Sequence, residues 1–531
     1  MRFARSAAAF CAITLGLGAI DYPAEGKRWW AHIQYLASDA LEGRDTGSEG
    51  YRKAAAYVAD HFKKYGLKPA GTEGYYQPVR FLVDQIVDEK TTAELVRPDG
   101  TAEPLRMGDD VVVGLNPDSA TDLEAPLMFI GYGMVVPEKG YSDIAGLDLK
   151  GKIVVSISGI PEDMPGPLAA HYQSFGERWA PLRAAGAIGM IRIFNPHQLD
   201  LPWARIALSR FNPQMTLADP ALWPTHDLKF SAALNPASAG RLFIDPGHNF
   251  DEVVKWSDAG AEMPHYDLPF RLRVHVERKQ REIESPNVAG ILPGSDPKLK
   301  NEYVVMSAHL DHVGVGKPID GDSIYNGAMD NASGVASILE IARLLHENKA
   351  RLRRSLLFVG VTAEEKGDLG SDFYASRPTV PARAMIADFN LDMFLPLYPL
   401  HDLMTIGLNE STLGDTVKNL APSEGIEIMD DPMPERNLFI RSDQYSFVKQ
   451  GVPALMFGFG AKPGSPEEKI QEAWIQKRYH APSDDVNQPV DLAAAAKFND
   501  VIMHLLTTVA NNDTRPEWKQ TSFFARFAKT R

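Results

Sequence analysis

From Ser48 onward, apolar residues return at three- and four-residue intervals: Tyr51, Ala54, Ala55, Val58, Phe62 and Tyr65. A helix turns once in 3.6 residues, so this spacing puts them on one helix face. Ser48 offers a capping hydroxyl at the start, and Gly66 can take the left-handed conformation that ends such a helix. Over 84–281 the texture changes. Short β-rich runs at 127–130, 153–157 and 188–193 are separated by Gly and Pro, which predicts a distinct β-rich module. From Asn287 the apolar runs have strand length again, at 288–292, 303–308, 356–362, 385–391 and 453–459, with helical stretches at 334–346 and 370–376 between them. That alternation predicts an α/β domain, a doubly wound mixed sheet with helices on both faces. The expected organisation is one domain in two parts, 21–83 and 282–515, with 84–281 inserted and a polar, peripheral tail at 516–531.

The start of the chain adds an expectation about location. Arg2 and Arg5 precede an apolar run over 7–20, broken only by Thr14, Gly16 and Gly18. Residues 1–20 read as an export signal, too short to span a bilayer comfortably, so the protein is expected to be periplasmic or secreted without stable membrane insertion. Cys11, the only cysteine, lies inside that signal. The remainder therefore has no disulfide, no thiolate nucleophile and no cysteine-type zinc site. Any metal must rest on His, Asp and Glu. The formal net charge of −14 argues against a nucleic-acid partner and an anionic membrane surface. No feature of the sequence sets an oligomeric state.

In open α/β sheets, ligands bind where the strands end. His309 and Asp311 follow the run 303–308, Glu364 and Glu365 follow 356–362, Asp392 follows 385–391, and Asp330 precedes the helix at 334. These are hard and borderline ligands, suited to zinc or a similar divalent ion. Taking His309, Asp330, Asp392, His480 and one of the Glu364–Glu365 pair as ligands makes five, three of them carboxylates, too many for one tetrahedral zinc. A carboxylate shared between two ions accommodates the set, and Asp330 is the expected bridge. His309 and Asp311 stand two apart, so on extended chain they share a face and the Asp311 carboxylate can accept from the free His309 ring nitrogen. Glu364 and Glu365 are adjacent and must diverge: one ligates and the other takes a proton. Spacing alone leaves open which does which. His312, Asp320 and Asp322 lengthen the loop before Asp330 and are expected at the surface.

His309-Leu-Asp311, GAMDNASGVA around Asp330, EEKGDLGS from Glu364, NLDM at Asp392 and Arg-Tyr-His480 occur in that order. The set resembles the co-catalytic zinc aminopeptidases typified by secreted bacterial leucyl aminopeptidases, a family related to glutamate carboxypeptidases, glutaminyl cyclases and the transferrin receptor. YLASDALEGRDTGSEGYRKAAAYVADHF is similar to the family's opening region and RSDQYSFVKQGVPALMF to its late strand region. Through GYG, GKIVV and RAAGAIGMI, the module at 84–281 resembles a protease-associated insert. The resemblance implies two zinc ions per chain, one on His309 and Asp392, the other on Glu365 and His480, with Asp330 bridging. It implies Glu364 as general base, Asp311 as the partner steadying His309, and Tyr479 steadying the oxyanion. Arg441 is a further candidate, for the substrate backbone. A cis peptide is implied at Asp330-Asn331. The expected activity is removal of N-terminal residues from peptide substrates. A carboxypeptidase is the alternative, since Arg441 would also serve a carboxylate. A single-zinc acyltransferase like glutaminyl cyclase, or a non-catalytic receptor, fits less well with a complete set of five ligands.

Overall fold

The computed structural model describes residues 20–199, 202–244, 249–432 and 437–528. The expected export signal, apart from its last residue, lies outside these. Among the described residues no helix is long and apolar enough to cross a membrane.

The strands Ser355–Val361 and Met385–Leu391 are buried at every position. Continuous burial is what a parallel strand covered on both faces requires. With Tyr303–His309 and Ala454–Phe459 they form the parallel centre of a ten-stranded sheet, in the spatial order 355–361, 303–309, 385–391, 454–459. Antiparallel neighbours, Arg278–Leu292 on one side and Asp402–Ile406 on the other, make the sheet mixed. Alternate residues feed two cores. Val304, Met306 and Ala308 pack with Trp29, Phe62, Leu339 and Phe498 of the helices Tyr22–Leu36, Glu49–Lys64, Ser333–Glu347 and Leu492–Asn511. Val305 faces the other way, with Tyr374 and Phe447 of the helices Leu369–Ser376 and Gln444–Lys449. The helix expected after Ser48 is Glu49–Lys64, and Ser48 Oγ accepts the Tyr51 N–H at 3.0 Å. From Tyr303–His309 the chain crosses first to Ser355–Val361 on one side, then to Met385–Leu391 on the other. The crevice at such a reversal opens at the carboxyl end of the central strand, where His309 stands.

Tyr76–Ile86 leaves this sheet and Arg278–Leu292 returns to it, the two paired antiparallel from Val288↔Tyr76 to Arg278↔Ile86. Between them lies an eight-stranded sheet with its own core, including Leu127, Phe129, Val155, Ile191, Phe230 and Leu272. Two expectations are corrected. Gln214–Leu217, inside the stretch read as a separate module, pairs with Tyr76–Ile86 and extends the first sheet; a short strand's own pattern does not say which sheet edge it joins. The tail is not peripheral either. Phe524 is 1% exposed against Phe439 and Tyr445, and Trp518 Nε1 donates to Gly451 O at 3.0 Å. A few aromatic anchors in a polar segment are enough to dock it.

Candidate metal centre

Five chain segments deliver the acidic and imidazole groups to one rim. The Asp330 carboxylate lies at the centre, 3% exposed. Its two oxygens face different partners. Oδ1 stands 3.3 Å from His309 Nε2, and that nitrogen is also 3.3 Å from Asp392 Oδ1. Oδ2 stands 3.2 Å from His480 Nε2, which is 3.3 Å from Glu365 Oε2. Glu364 Oε2 lies 3.9 Å from His309 Nε2. All five expected ligands and Glu364 therefore meet in one cluster. Two trios have ligand atoms within 4.8 Å of one another: His309, Asp330 and Asp392, and His312, Asp330 and Glu365.

His312, expected at the surface, is fully buried. Its Nδ1 lies 2.7 Å from Glu365 Oε1 and its ring meets His480 edge-on at 5.8 Å. Asp320 and Asp322 are exposed, as expected. A polar residue in a polar loop carries no periodic signal, so only its place three residues after His309 pointed to it. Asp311 is corrected in its contact. The strand ends at His309, alternation stops there, and His309 Nδ1 meets the Asp311 backbone carbonyl at 3.2 Å. The Asp311 carboxylate turns away to accept from Thr46 Oγ1 at 3.0 Å and from the Glu364 N–H at 3.1 Å. It thus orients the Glu364 backbone rather than the His309 ring.

Asp330 is held from behind. Asp484 Oδ1 accepts the Met329 N–H at 2.9 Å and Oδ2 the Asp330 N–H at 3.0 Å. The Asp330-Asn331 peptide is cis, and Asn331 Nδ2 donates to Leu391 O at 2.8 Å. Arg44, fully buried, donates to the carbonyls of Leu36, Leu310, Asn326 and Gly327. It ties the segment after His309 to the segment before Asp330. On the far side, Asn390 Nδ2 donates to Ser442 Oγ at 3.1 Å, and Ser442 sits against Asp392.

Burial pushes the Glu364 carboxyl well above the usual range; the His309 charge opposes this, while Asp392, Asp443 and Asp368 reinforce it. Asp330 goes the other way. Despite its burial, the His309, His312 and His480 rings hold it well below the carboxylate range. A raised acid beside a depressed one is the electrostatic pattern of a reactive site. The cluster opens into a cleft of about 250 Å³ that Asp368, Met393, Arg441 and Tyr479 also line. The Tyr479 ring stacks on His480 at 4.0 Å and is 45% exposed. Arg441 is exposed at the cleft edge.

The donor set fits a divalent cation. Both His312 ring nitrogens and Glu365 Oε1 are buried and have no hydrogen-bond partner, although imidazole and carboxylate lie close together. Buried polar atoms left this way are satisfied by a cation. A third trio, Glu424, Asp500 and His504, lies elsewhere, but Lys497 Nζ already meets Glu424 at 3.2 Å.

Residues 287–506 match the profile of Peptidase family M28. The chain is 26% identical over 291 residues to the probable leucine aminopeptidase 2 of Aspergillus oryzae, covering 52% of this chain and 54% of that one. It is 26% identical over 265 residues to aminopeptidase Y of Saccharomyces cerevisiae, covering 46% and 42%. The chain thus spans about half the length of the curated relatives it matches. Among solved structures, the aminopeptidase from Aneurinibacillus sp. strain AM-1 superposes with a TM-score of 0.54 over 92% of this chain and 95% of that one, at 20% identity. That likeness is one of fold. The stretch that matches this profile, 287–506, contains every one of the clustered ligands.

Proposed function

We propose that this protein is an exported zinc exopeptidase that removes N-terminal residues from peptides, holding two zinc ions per chain. The observation that carries the reading is the division of the Asp330 carboxylate, one oxygen toward His309 and Asp392, the other toward His480 and Glu365. His309 and Asp392 on one side of Asp330, and Glu365 and His480 on the other, are the residues that would hold two cations. Zinc held there would supply Lewis acidity toward the scissile carbonyl and lower the pKa of the attacking water.

The residues of the chain then divide the work. Glu364 stands in the cleft beside the cluster without being needed as a ligand, and its raised pKa suits an acceptor that must later give the proton up. It takes the proton of the attacking water and passes it to the leaving amine. Asp311 fixes the Glu364 backbone. Tyr479, stacked on His480, stands at the cleft to steady the oxyanion. Asp368 and Glu364 line the cleft with carboxyls that can meet the α-amine of a free N-terminus. Arg441 stands at the cleft edge for the substrate backbone. The names of the curated relatives support an aminopeptidase.

The 1–20 segment supports export. The second sheet and its helices, with the GYG, GKIVV and RAAGAIGMI segments, support a protease-associated insert within 84–281.

Glu364→Gln tests the reading. The variant is expected to keep near two zinc ions per chain and to lose activity on an aminoacyl anilide by about 10²–10⁴-fold. Full activity in that variant would remove Glu364 as base. Comparing the free anilide with its N-acetylated form separates the two exopeptidase classes: an aminopeptidase cleaves only the free amine. Cleavage at the C-terminus of an N-blocked peptide would instead give Arg441 the role of carboxylate anchor.

A further inference from the structure

The second unit contains two arginines that no other feature of the molecule explains. Arg178 lies on the helix Phe175–Ala184, and Arg192 on the neighbouring strand Gly189–Ile193. Arg178 is 2% exposed. Its Nε and Nη2, and Arg192 Nε, are buried without a hydrogen-bond partner. Arg192 lies 5.1 Å from the Phe194 ring, and neither guanidinium pairs with a carboxylate among the described residues. Burial and the adjacent Arg192 charge together lower the Arg178 pKa to about 9. The acid that bears on Arg178, Asp143, is already engaged by Tyr141 Oη and the Met134 N–H.

Burying one charge without a partner is costly, and burying two of like sign together is more so. Such a pair persists where a ligand supplies the missing charge. Both arginines line one cavity of about 310 Å³. Its other walls include Val113, Phe175, Met190 and Ala232. A pocket of this size, mostly apolar with a few convergent polar groups, is built for a small organic ligand. The guanidinium forks match a carboxylate in geometry and charge. A free amino acid is a poor fit, because its ammonium would sit beside the same two cations.

We propose that Arg178 and Arg192 form a second binding site, apart from the metal centre, for a small carboxylate with an apolar body and no adjacent positive charge, such as an N-acylated amino acid or the C-terminal end of a short peptide.

Calorimetry on the full zinc-loaded chain tests this with three probes: N-acetyl-L-leucine, its uncharged amide, and inorganic phosphate. The wild type is expected to bind the acid at least tenfold more tightly than the amide or phosphate. Arg178→Met and Arg192→Gln are each expected to weaken binding of the acid at least tenfold, with turnover of an aminoacyl anilide unchanged. Arg178→Met also carries a second readout. Replacing an uncompensated buried charge by an apolar side chain should leave the free protein melting no lower than the wild type, while abolishing the rise in melting temperature that the acid produces. Equal affinity for acid and amide would overturn the site. Equal affinity for phosphate would reduce it to a general anion trap. Unchanged binding in both variants would place the bound acid at the zinc centre instead.

Discussion

The Ser442 hydroxyl donates to Asp392 Oδ2 at 2.8 Å, which leaves Asp392 Oδ1 as the oxygen turned toward His309 Nε2, 3.3 Å away. One oxygen is occupied by the protein so that the other can serve the metal. Outer hydrogen bonds of this kind set the orientation and charge of a ligand, and their loss costs about 10–100-fold in metal affinity. Ser442→Ala should therefore weaken zinc binding at His309 and Asp392 by that factor, measured by chelator competition. Unchanged affinity would mean that Asp392 is oriented by its strand alone.

Gly327 has φ +62°, and a Cβ there would lie 2.2 Å from Asp330 O and 2.5 Å from the His312 ring. Both neighbours belong to the metal cluster, and neither is the loose end of a flexible side chain. Gly327→Ala must displace one of them, besides forcing an L-residue into left-handed backbone. The expected result is a drop in zinc content together with a lower melting temperature. A variant with full zinc content and wild-type stability would show that the loop has room to shift.

Asp388 lies within the sheet below the cluster, fully buried, with Oδ1 accepting from Ser307 at 2.9 Å and Oδ2 without a partner. Burial pushes its carboxyl up to about 8, with the Ser307 hydrogen bond opposing. The folded chain therefore keeps a proton that the unfolded chain releases near the ordinary carboxylate value of 3.8. Between these values folding takes up a proton, so stability falls as pH rises through the window. Asp388→Asn removes this dependence. In urea unfolding at saturating zinc, the variant should gain on the wild type between pH 5 and pH 8, by at most about 1.4 kcal/mol per pH unit. A gap between the two proteins that does not change with pH would place the Asp388 proton elsewhere.

Much of the central sheet was legible because its strands are mostly apolar, and the residue following such a run sits at a sheet rim whatever the details of packing. His309, Glu364, Glu365 and Asp392 were found this way. His480 was not, since it follows a helix, Pro466–Arg478, rather than a strand; only the order of motifs pointed to it. His312 and Arg44 escaped for another reason. Both are polar residues in polar stretches, and their burial is decided by distant chain folding over them: Gly327 over His312, and four backbone carbonyls around the Arg44 guanidinium. Arg178 and Arg192 were equally silent, as one helix and one strand bring them together only in three dimensions.

The Gln214–Leu217 strand has a mechanical consequence. Were the ribbon of Tyr76–Ile86 and Arg278–Leu292 its sole tie, the second unit could rock about that stem like a flag on a pole. Pairing from Gln214↔Asp84 to Leu217↔Phe81 adds a strut from the flag back to the pole. Rocking would have to tear that ladder, so the second unit and the sheet that carries His309 are braced as one frame, and their mutual orientation is held by hydrogen-bonded bracing rather than set by each arriving substrate.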